Sequence, residues 1–384
     1  LNYRLTGIGY YSLNLFNQLF KYISDEYDLY ILVLNRNFPN KEVRDFIQNY
    51  ESRIIYLEDT DKKYFQRITD RIGRGKNIST YLDYKINRIL NSKSYENFPV
   101  FFGQDLLFDR FPKKINITTI HDLTTELYPE WHDIGNVKRN FSKLKFIQKT
   151  LDWIVFVSNS TKKDYLRFYH LDLNYSVIHP VIDSRFLQTQ ISFASKIKKK
   201  PYLLSVCTFE PRKNLIQVLK LFEEFKKTKV GKNFELILVG DSGWKNESIY
   251  QAIHSHQFKK DIILKGYLEF EELIQLYSGA SVFIYLSKYE GFGMPVLEAV
   301  LSETLVLASN NSSIPEILGM DYPALVELNN DELILEILLK MITEEKFRKV
   351  LLSKIKKRKK IFQNENQVKE FEKIFSTLAR KLEN

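Results

Sequence analysis

The chain contains a single cysteine, Cys207, in 384 residues, so no intramolecular disulfide can form and a reducing compartment suits it. It contains six histidines, and neither these nor its carboxylates fall into a convincing metal motif. His254-Ser255-His256 would put its imidazoles on different helix faces. No apolar run reaches the roughly 18 residues needed to span a bilayer, and no signal peptide is visible. No Walker sequence occurs, which argues against a P-loop nucleotidase. The glycine pair in Thr6-Gly7-Ile8-Gly9 is not a GxGxxG fingerprint, because Ser12 stands where the third glycine belongs. There is no short-period repeat and no low-complexity tract. The chain starts at Leu1 rather than Met, and the expectation is that a few N-terminal residues are missing.

What is present is globular material. At 44% hydrophobic and 27% charged residues, the chain has enough apolar content for two cores. The formal net charge is +10, which favours anionic partners. The excess is clustered at Lys196, Lys198, Lys199 and Lys200, and again from Lys354 through Lys360. A solvated linker and a solvated helix face account for most of this. The functional alternative is peripheral docking on an anionic membrane surface. Nucleic acid is not expected, since neither cluster is interleaved with aromatics that would stack on bases.

Apolar runs alternate with helical patterns, which implies parallel sheets covered on both faces. The strand candidates are 29–34, 53–57, 100–102, 115–120, 153–157 and 177–179, then 202–207, 234–240, 261–264, 282–286 and 304–308. Helices are expected at 10–22, 135–151, 160–169, 215–227, 270–278 and 295–301, with two long ones at 331–362 and 367–382. The domain boundary falls near 184–200, where apolar periodicity lapses. In such sheets ligands sit beyond the carboxyl ends of strands, so the loops after strands are the places to look.

The most informative loop is in residues 281–300, SVFIYLSKYEGFGMPVLEAV. An apolar run breaks into a loop holding Glu290, Gly291 and Gly293. A helix then starts near Met294, with Pro295 in its first turn and Glu298 one turn on. The glycines admit a ligand to the backbone, and the helix end suits an anion such as a diphosphate. Two carboxylates eight positions apart fit the hydroxyls of a sugar and a ribose, so the segment reads as a nucleotide-sugar site. Arg212 and Lys213 stand at a second strand-to-helix turn, where cations would meet that diphosphate. His121 follows the end of the strand 115–120 and is placed to hydrogen-bond a transferring sugar or its phosphate. Gly240-Asp241-Ser242-Gly243 follows another strand and lies near the expected base, with a structural turn as the equal alternative. Thr6-Gly7-Ile8-Gly9 is a glycine turn whose amides can meet phosphate. Ser313 is read as the N-cap of a short helix near Pro315. Asp59-Thr60-Asp61 has the spacing of a metal-dependent transferase motif but sits in a charged stretch and reads as exposed loop.

Taken in order, Thr6-Gly7-Ile8-Gly9, His121-Asp122, Val157-Ser158-Asn159-Ser160, Glu210-Pro211-Arg212-Lys213-Asn214 and Glu290-Gly291-Phe292-Gly293 with Glu298 resemble the retaining GT-B glycosyltransferases of family 4. The wording of 210–214 and of Ser313-Ile314-Pro315-Glu316 is most similar to bacterial mannosyl-, rhamnosyl- and glucosyltransferases of surface polysaccharide synthesis. The resemblance implies two Rossmann-like, doubly wound α/β domains facing a cleft: an acceptor-side domain over 1–190, a nucleotide-sugar domain over 191–362, and a final helix, 363–384, crossing back to the first. It implies Arg212 and Lys213 on the donor diphosphate, and Glu290 with the Gly291, Phe292 and Gly293 backbone on the donor sugar. Glu298 would then take the ribose, His121 the reaction centre and Gly9 the phosphate or acceptor, while Gly240 is a donor-binding candidate from the loop reading alone. A hexose would pass from GDP-mannose or a UDP- or dTDP-hexose to a glycan or lipid-linked acceptor. No metal and no cofactor are expected, and the location is cytoplasmic, toward the inner membrane face. The rival readings are a GT-B sugar-nucleotide epimerase or phosphorylase, and a catalytically silent basic module for anionic membrane or nucleic acid. The family's first strand usually precedes the glycine turn, and here only five residues come before Thr6. Ser302-Glu303-Thr304 also departs from the family's small residue and glycine before the next strand.

Overall fold

Short runs of branched aliphatic residues, buried on both faces, set the architecture, because strands of this kind pair in parallel under helices. The computed structural model describes residues 7–22, 29, 31–33, 40–56, 100–103, 115–183, 185–188, 200–362 and 364–383. The Asp59-Thr60-Asp61 stretch, Lys196 to Lys199 and the boundary at 190–191 lie outside the described residues.

In the first domain, helix α1 (Gly7–Tyr22) precedes β1 (Ile31–Val33), α2 (Lys41–Asn49) and β2 (Ile54–Tyr56), and β1 and β2 pair in parallel. Strands β3 (Val100–Gly103), β4 (Ile115–Ile120), β5 (Trp153–Phe156) and β6 (Asn174–Val177) form a parallel sheet in that order. The connections run through α3 (Thr124–Leu127), α4 (Ile134–Thr150) and α5 (Asn159–Phe168). The last strand falls at 174–177 rather than at the expected 177–179. His179 is instead drawn toward the second domain by Glu316. Helix α6 (Arg185–Gln188) leads away from the sheet.

The second domain contributes β7 (Tyr202–Val206), α7 (Leu215–Lys227), β8 (Glu235–Val239), α8 (Glu247–Ser255), β9 (Ile262–Lys265), α9 (Phe270–Gly279), β10 (Val282–Tyr285), α10 (Met294–Leu301), β11 (Val306–Ser309), α11 (Ile314–Leu318) and β12 (Leu325–Val326). Its strand order is β12-β11-β10-β7-β8-β9, all parallel. The order reverses between β7 and β10, so the loops leaving these two neighbours diverge and open a crevice. Arg212 and Lys213 follow β7, and Glu290 to Gly293 follow β10.

The long helix expected over 331–362 is two helices, α12 (Asp331–Thr343) and α13 (Glu345–Ile361). Glu344 between them is extended, at φ −101° and ψ 104°, so the helical ladder cannot pass through it. Helix α14 (Asn364–Glu383) returns to pack on α1. Its Phe371, Ile374 and Leu378 are fully buried in one continuous core that includes Tyr11, Leu15 and Leu19 of α1 and most of the second domain. Burying such an amphipathic stripe is what holds a terminal helix across two domains.

Candidate active site

The loops after β7 and β10 are tied to each other before any ligand is considered. Lys288 N donates to Arg212 O at 2.8 Å, and Asn214 Nδ2 donates to Leu286 O at 3.0 Å. Asn214 adopts a left-handed backbone, φ 56°, which turns the chain from the Pro211–Lys213 turn into α7. Asn is among the few residues that accept that conformation readily.

Glu290 is the hub. Its Oε1 accepts from Lys213 Nζ at 2.7 Å, Ser287 Oγ at 2.6 Å and Tyr285 OH at 2.9 Å. Its Oε2 faces Arg212 Nη1 at 3.5 Å. Burial pushes this carboxyl up, but the Lys213 and Arg212 cations and the hydrogen bonds outweigh it and hold it at about 2. Glu290 is therefore an ionised group locked between cations, not a proton acceptor near neutral pH. Arg212 Nε is engaged by the buried Glu210 carboxylate, and its Nη1 lies 3.9 Å from Asp122 Oδ2 of the first domain. That arrangement fixes the guanidinium plane and leaves its outer edge on the cleft.

The Glu290–Phe292 backbone is preorganised by hydroxyls. Ser313 Oγ donates to the carbonyls of Glu290 and Phe292 at 3.0 and 2.7 Å, and Ser312 Oγ accepts from Glu290 N. Ser313 is thus not the side-chain N-cap that its position suggests. It sits at φ −85°, ψ −9° with no capping bond, its hydroxyl being used on the loop. The Gly291 carbonyl accepts from Ser158 Oγ at 2.6 Å and Thr161 Oγ1 at 3.0 Å, both from the first domain. A Cβ on Gly291 would lie 1.9 Å from the His121 carbonyl oxygen, so the glycine is what lets the two domains meet here. Gly293 has φ 99° and begins α10, with Pro295 in the first turn. At Gly240, φ is 143° and a Cβ would meet the Cys207 carbonyl at 1.9 Å.

A cleft of about 380 Å³ joins these parts. His121, Arg212, Lys213, Gly240, Glu290, Gly291, Phe292, Gly293 and Glu298 all line it. Gly9 does not. The helix begins at Gly7, not at residue 10, so Gly9 lies inside its first turn, and Tyr10, Tyr11 and Asn14 form the wall instead. The Phe292 ring packs among His179 and Phe362, so its backbone is the part open to a ligand. His121 rests edge-on against Tyr11 at 4.8 Å. Glu298 receives the Tyr277 hydroxyl at 2.7 Å, and burial pushes its carboxyl up to about 7, against the opposing pull of that bond. Among the described residues no group of three or more His, Cys, Asp and Glu is placed to hold a metal ion.

Several working parts carried no signal in the sequence. Tyr277, Tyr285 and Ser287 act on the charged residues through contacts that only folding creates, such as Tyr277 with Glu298 across 21 positions. Tyr10 and Tyr267 join their hydroxyls across the cleft, 257 positions apart. The Val157–Ser160 and Ser313–Glu316 pieces turn out to be one contact. The Glu316 carboxylate accepts from Asn159 N at 2.8 Å and Ser160 N at 2.7 Å, closing the N-terminus of α5 from the other domain.

The fold and the crevice at the reversal of strand order define the class. Residues 188–358 match the glycosyl transferases group 1 family, and the two facing α/β domains are a GT-B fold. Residues 188–358 thus carry a glycosyl transferases group 1 domain. The chain is 27% identical over 267 residues to the O-antigen chain mannosyltransferase B of Escherichia coli, covering 65% of this chain and 67% of that protein. It is 29% identical over 201 residues to the O-antigen chain mannosyltransferase RfbU of Salmonella typhimurium, covering 52% of this chain and 53% of RfbU. The Anabaena HepE structure in complex with UDP-glucose superposes with a TM-score of 0.68 at 14% identity, over 90% of this chain and 98% of that one. At that identity the likeness speaks for the fold alone.

Proposed function

We propose that this protein transfers a hexose, with mannose the leading candidate, from a nucleotide sugar to a hydroxyl of a glycan or lipid-linked acceptor, with retention at the anomeric carbon. The observation that carries the reading is the convergence of Arg212, Lys213, Glu290 and Glu298 on one cleft at the switch point of the second sheet. The mannose assignment draws its support from the O-antigen mannosyltransferases that the chain resembles.

In this reading the Arg212 and Lys213 cations meet the diphosphate and stabilise the charge that grows on it as the glycosidic bond breaks. The diphosphate oxygen accepts the acceptor's proton on the same face. Glu290, held ionised, accepts hydrogen bonds from the donor sugar's hydroxyls and faces the positive charge developing at the anomeric carbon. Glu298 takes the ribose hydroxyls. Donor and acceptor are held for reaction mainly by position and electrostatics. Ser158, Thr161 and Glu316 hold the domains together around them, which excludes water.

A panel of GDP-, UDP- and dTDP-hexoses, scored for slow hydrolysis without acceptor, tests the donor. GDP-mannose turnover is expected, and activity with none of the panel would end the proposal. Product configuration by NMR tests retention. EDTA is expected to leave turnover unchanged; a strict divalent-cation requirement would contradict the role given to Arg212 and Lys213.

A further inference from the structure

The basic cluster at 354–360 is largely consumed by the fold. Arg358 donates to the carbonyls of Glu316 and Ile317 at the end of α11, Lys354 pairs with Asp321, and Lys356 and Lys359 face Glu303. Such a surface has few cations to offer a partner.

A different face has both exposed cations and exposed apolar groups. Strands β4, β5 and β6 are laid down in one direction, so right-handed crossovers put α4 and α5 side by side on the same face of the first sheet. Among the described residues, 13 large hydrophobic side chains are exposed, and five of them lie within residues 134–175. Ile134 and Phe141, seven positions apart, share one stripe of α4. Leu166 lies on the outward side of α5 with Lys162 and Lys163, whereas Phe168, two positions on, ends the helix on a different face, and Tyr175 is on the edge strand β6. Their exposures run from 43% to 75%.

Cations are interleaved with them. Lys138 and Lys145 lie on the Ile134–Phe141 stripe, and Lys145 Nζ sits 4.5 Å above the Phe141 ring. Lys162 Nζ lies 5.3 Å above the Tyr175 ring, and Lys163 and Arg167 are exposed beside it. Residues 134–175 carry eight Lys and Arg against three Asp and no Glu. Two of those aspartates are occupied: the buried Asp164 accepts from the Tyr289 hydroxyl and pairs with Arg167 at 3.3 Å, and Asp152 accepts from Asn116 N. At the N-terminal end of α4 the strip continues onto the second domain. There Trp244, 42% exposed, donates its indole N–H to Trp131 O, and Lys245 reaches the Glu130 and His132 carbonyls.

We infer that the outer face of α4 and α5, with Trp244 at its edge, is a docking surface for a bilayer rich in anionic headgroups. Exposed apolar side chains standing among cations on neighbouring elements match the chemistry of a membrane interface, where each meets its own layer. Trp244 keeps its indole N–H satisfied while its ring faces out, as an interfacial tryptophan needs. Trp244 follows the cleft-lining Asp241 by three positions, so a bound enzyme would meet an acceptor anchored in that bilayer. That consequence rests on the glycosyl-transfer reading, whereas the docking itself does not.

The test is co-sedimentation of the full chain with phosphatidylcholine vesicles, with and without phosphatidylglycerol, alongside donor turnover on a soluble acceptor. Binding to the anionic vesicles only is expected. Lys138→Glu/Lys145→Glu and Phe141→Ser/Leu166→Ser are each expected to weaken it at least about tenfold, since each basic residue near the surface is worth roughly 1 kcal/mol. Both variants should keep soluble turnover, and Lys357→Glu/Lys360→Glu should keep vesicle binding. Failure of the wild type to sediment, or unaltered binding by both double variants, would overturn the inference whatever the turnover shows. So would a dimer, or tighter capture of single-stranded RNA than of vesicles, that is lost in the same variants. Vesicle binding without any donor turnover would instead leave docking standing and remove the transfer reading.

Discussion

Nucleotide affinity should depend on pH through Glu298, in a direction that the fold dictates. Burial lifts this carboxyl to about 7, so near neutral pH the free protein holds it part protonated. A ribose diol is better bound by the ionised form, which offers only acceptors. Affinity for a nucleoside diphosphate should therefore rise with pH through about 7 and fall below it by about tenfold per unit, or about 30-fold between pH 8 and pH 5.5. Calorimetric titration of GDP and UDP across that range measures the slope. The ligand's terminal phosphate also titrates near pH ~6, so the informative quantity is the difference between wild type and Glu298→Gln, which cannot ionise. The variant should lose the Glu298 component and keep the phosphate component. Tyr277→Phe sharpens the test. Its hydroxyl donates to Glu298 at 2.7 Å and lowers that carboxyl, so removing it should move the midpoint upward while leaving the high-pH affinity nearly intact. The stability of the free protein should run the opposite way. A group raised in the folded state above its ordinary value of ~4.3 stabilises fully below that value, and the benefit is lost as pH rises toward about 7. An identical slope in wild type and Glu298→Gln would refute the placement of the ribose.

Lys213→Ala should cost roughly 100- to 1,000-fold in turnover, the usual effect of removing one preorganised donor. It should also destabilise by about 3–5 kcal/mol, because it strands the buried Glu290 charge, whereas Lys213→Met/Glu290→Gln should recover stability without activity. Urea unfolding alongside turnover separates the two effects, and a Lys213→Ala protein as stable and as active as wild type would contradict the role of Glu290 as a hub. Gly291→Ala should push the domains apart at His121 and lower kcat by about 100-fold, with nucleotide affinity less affected. Equal losses in both would place the damage inside the second domain instead. Glu316→Gln should cost about 1–2 kcal/mol above pH ~5, from the weakened hold on the α5 N-terminus. Burial pushes the Glu316 carboxyl up, but His179 and the Asn159 and Ser160 amides bring it below its ordinary value. Its contribution is therefore complete above the unfolded value and disappears as pH falls through the lower folded one. The gap between variant and wild-type midpoints should close in acid.

The second domain was the more legible half. Its strands are short apolar runs ended by loops with strong local chemistry, and Pro295, Gly293 and Glu298 announce a helix start and its neighbours within ten residues. Errors came where a decision was made at a distance. Nothing local in 331–362 shows that Glu344 leaves the helix. Ser313 reads as a cap by position, yet it serves two carbonyls more than twenty residues back. Gly9 reads as a turn beside a ligand, but the helix starts two residues earlier and turns tyrosines toward the cleft.

Hydrophobic periodicity and turn chemistry, which act within a few residues, determined from the chain alone that it folds as parallel α/β layers and which loops carry charge. Which of those charges neutralise each other was decided only by the tertiary structure. The pairing of Lys213 with Glu290 spans 77 positions and that of Glu316 with the α5 amides spans more than 150. Electrostatic and hydrogen-bond energies depend on separation in space and on exclusion of water, and neither is written in residue order.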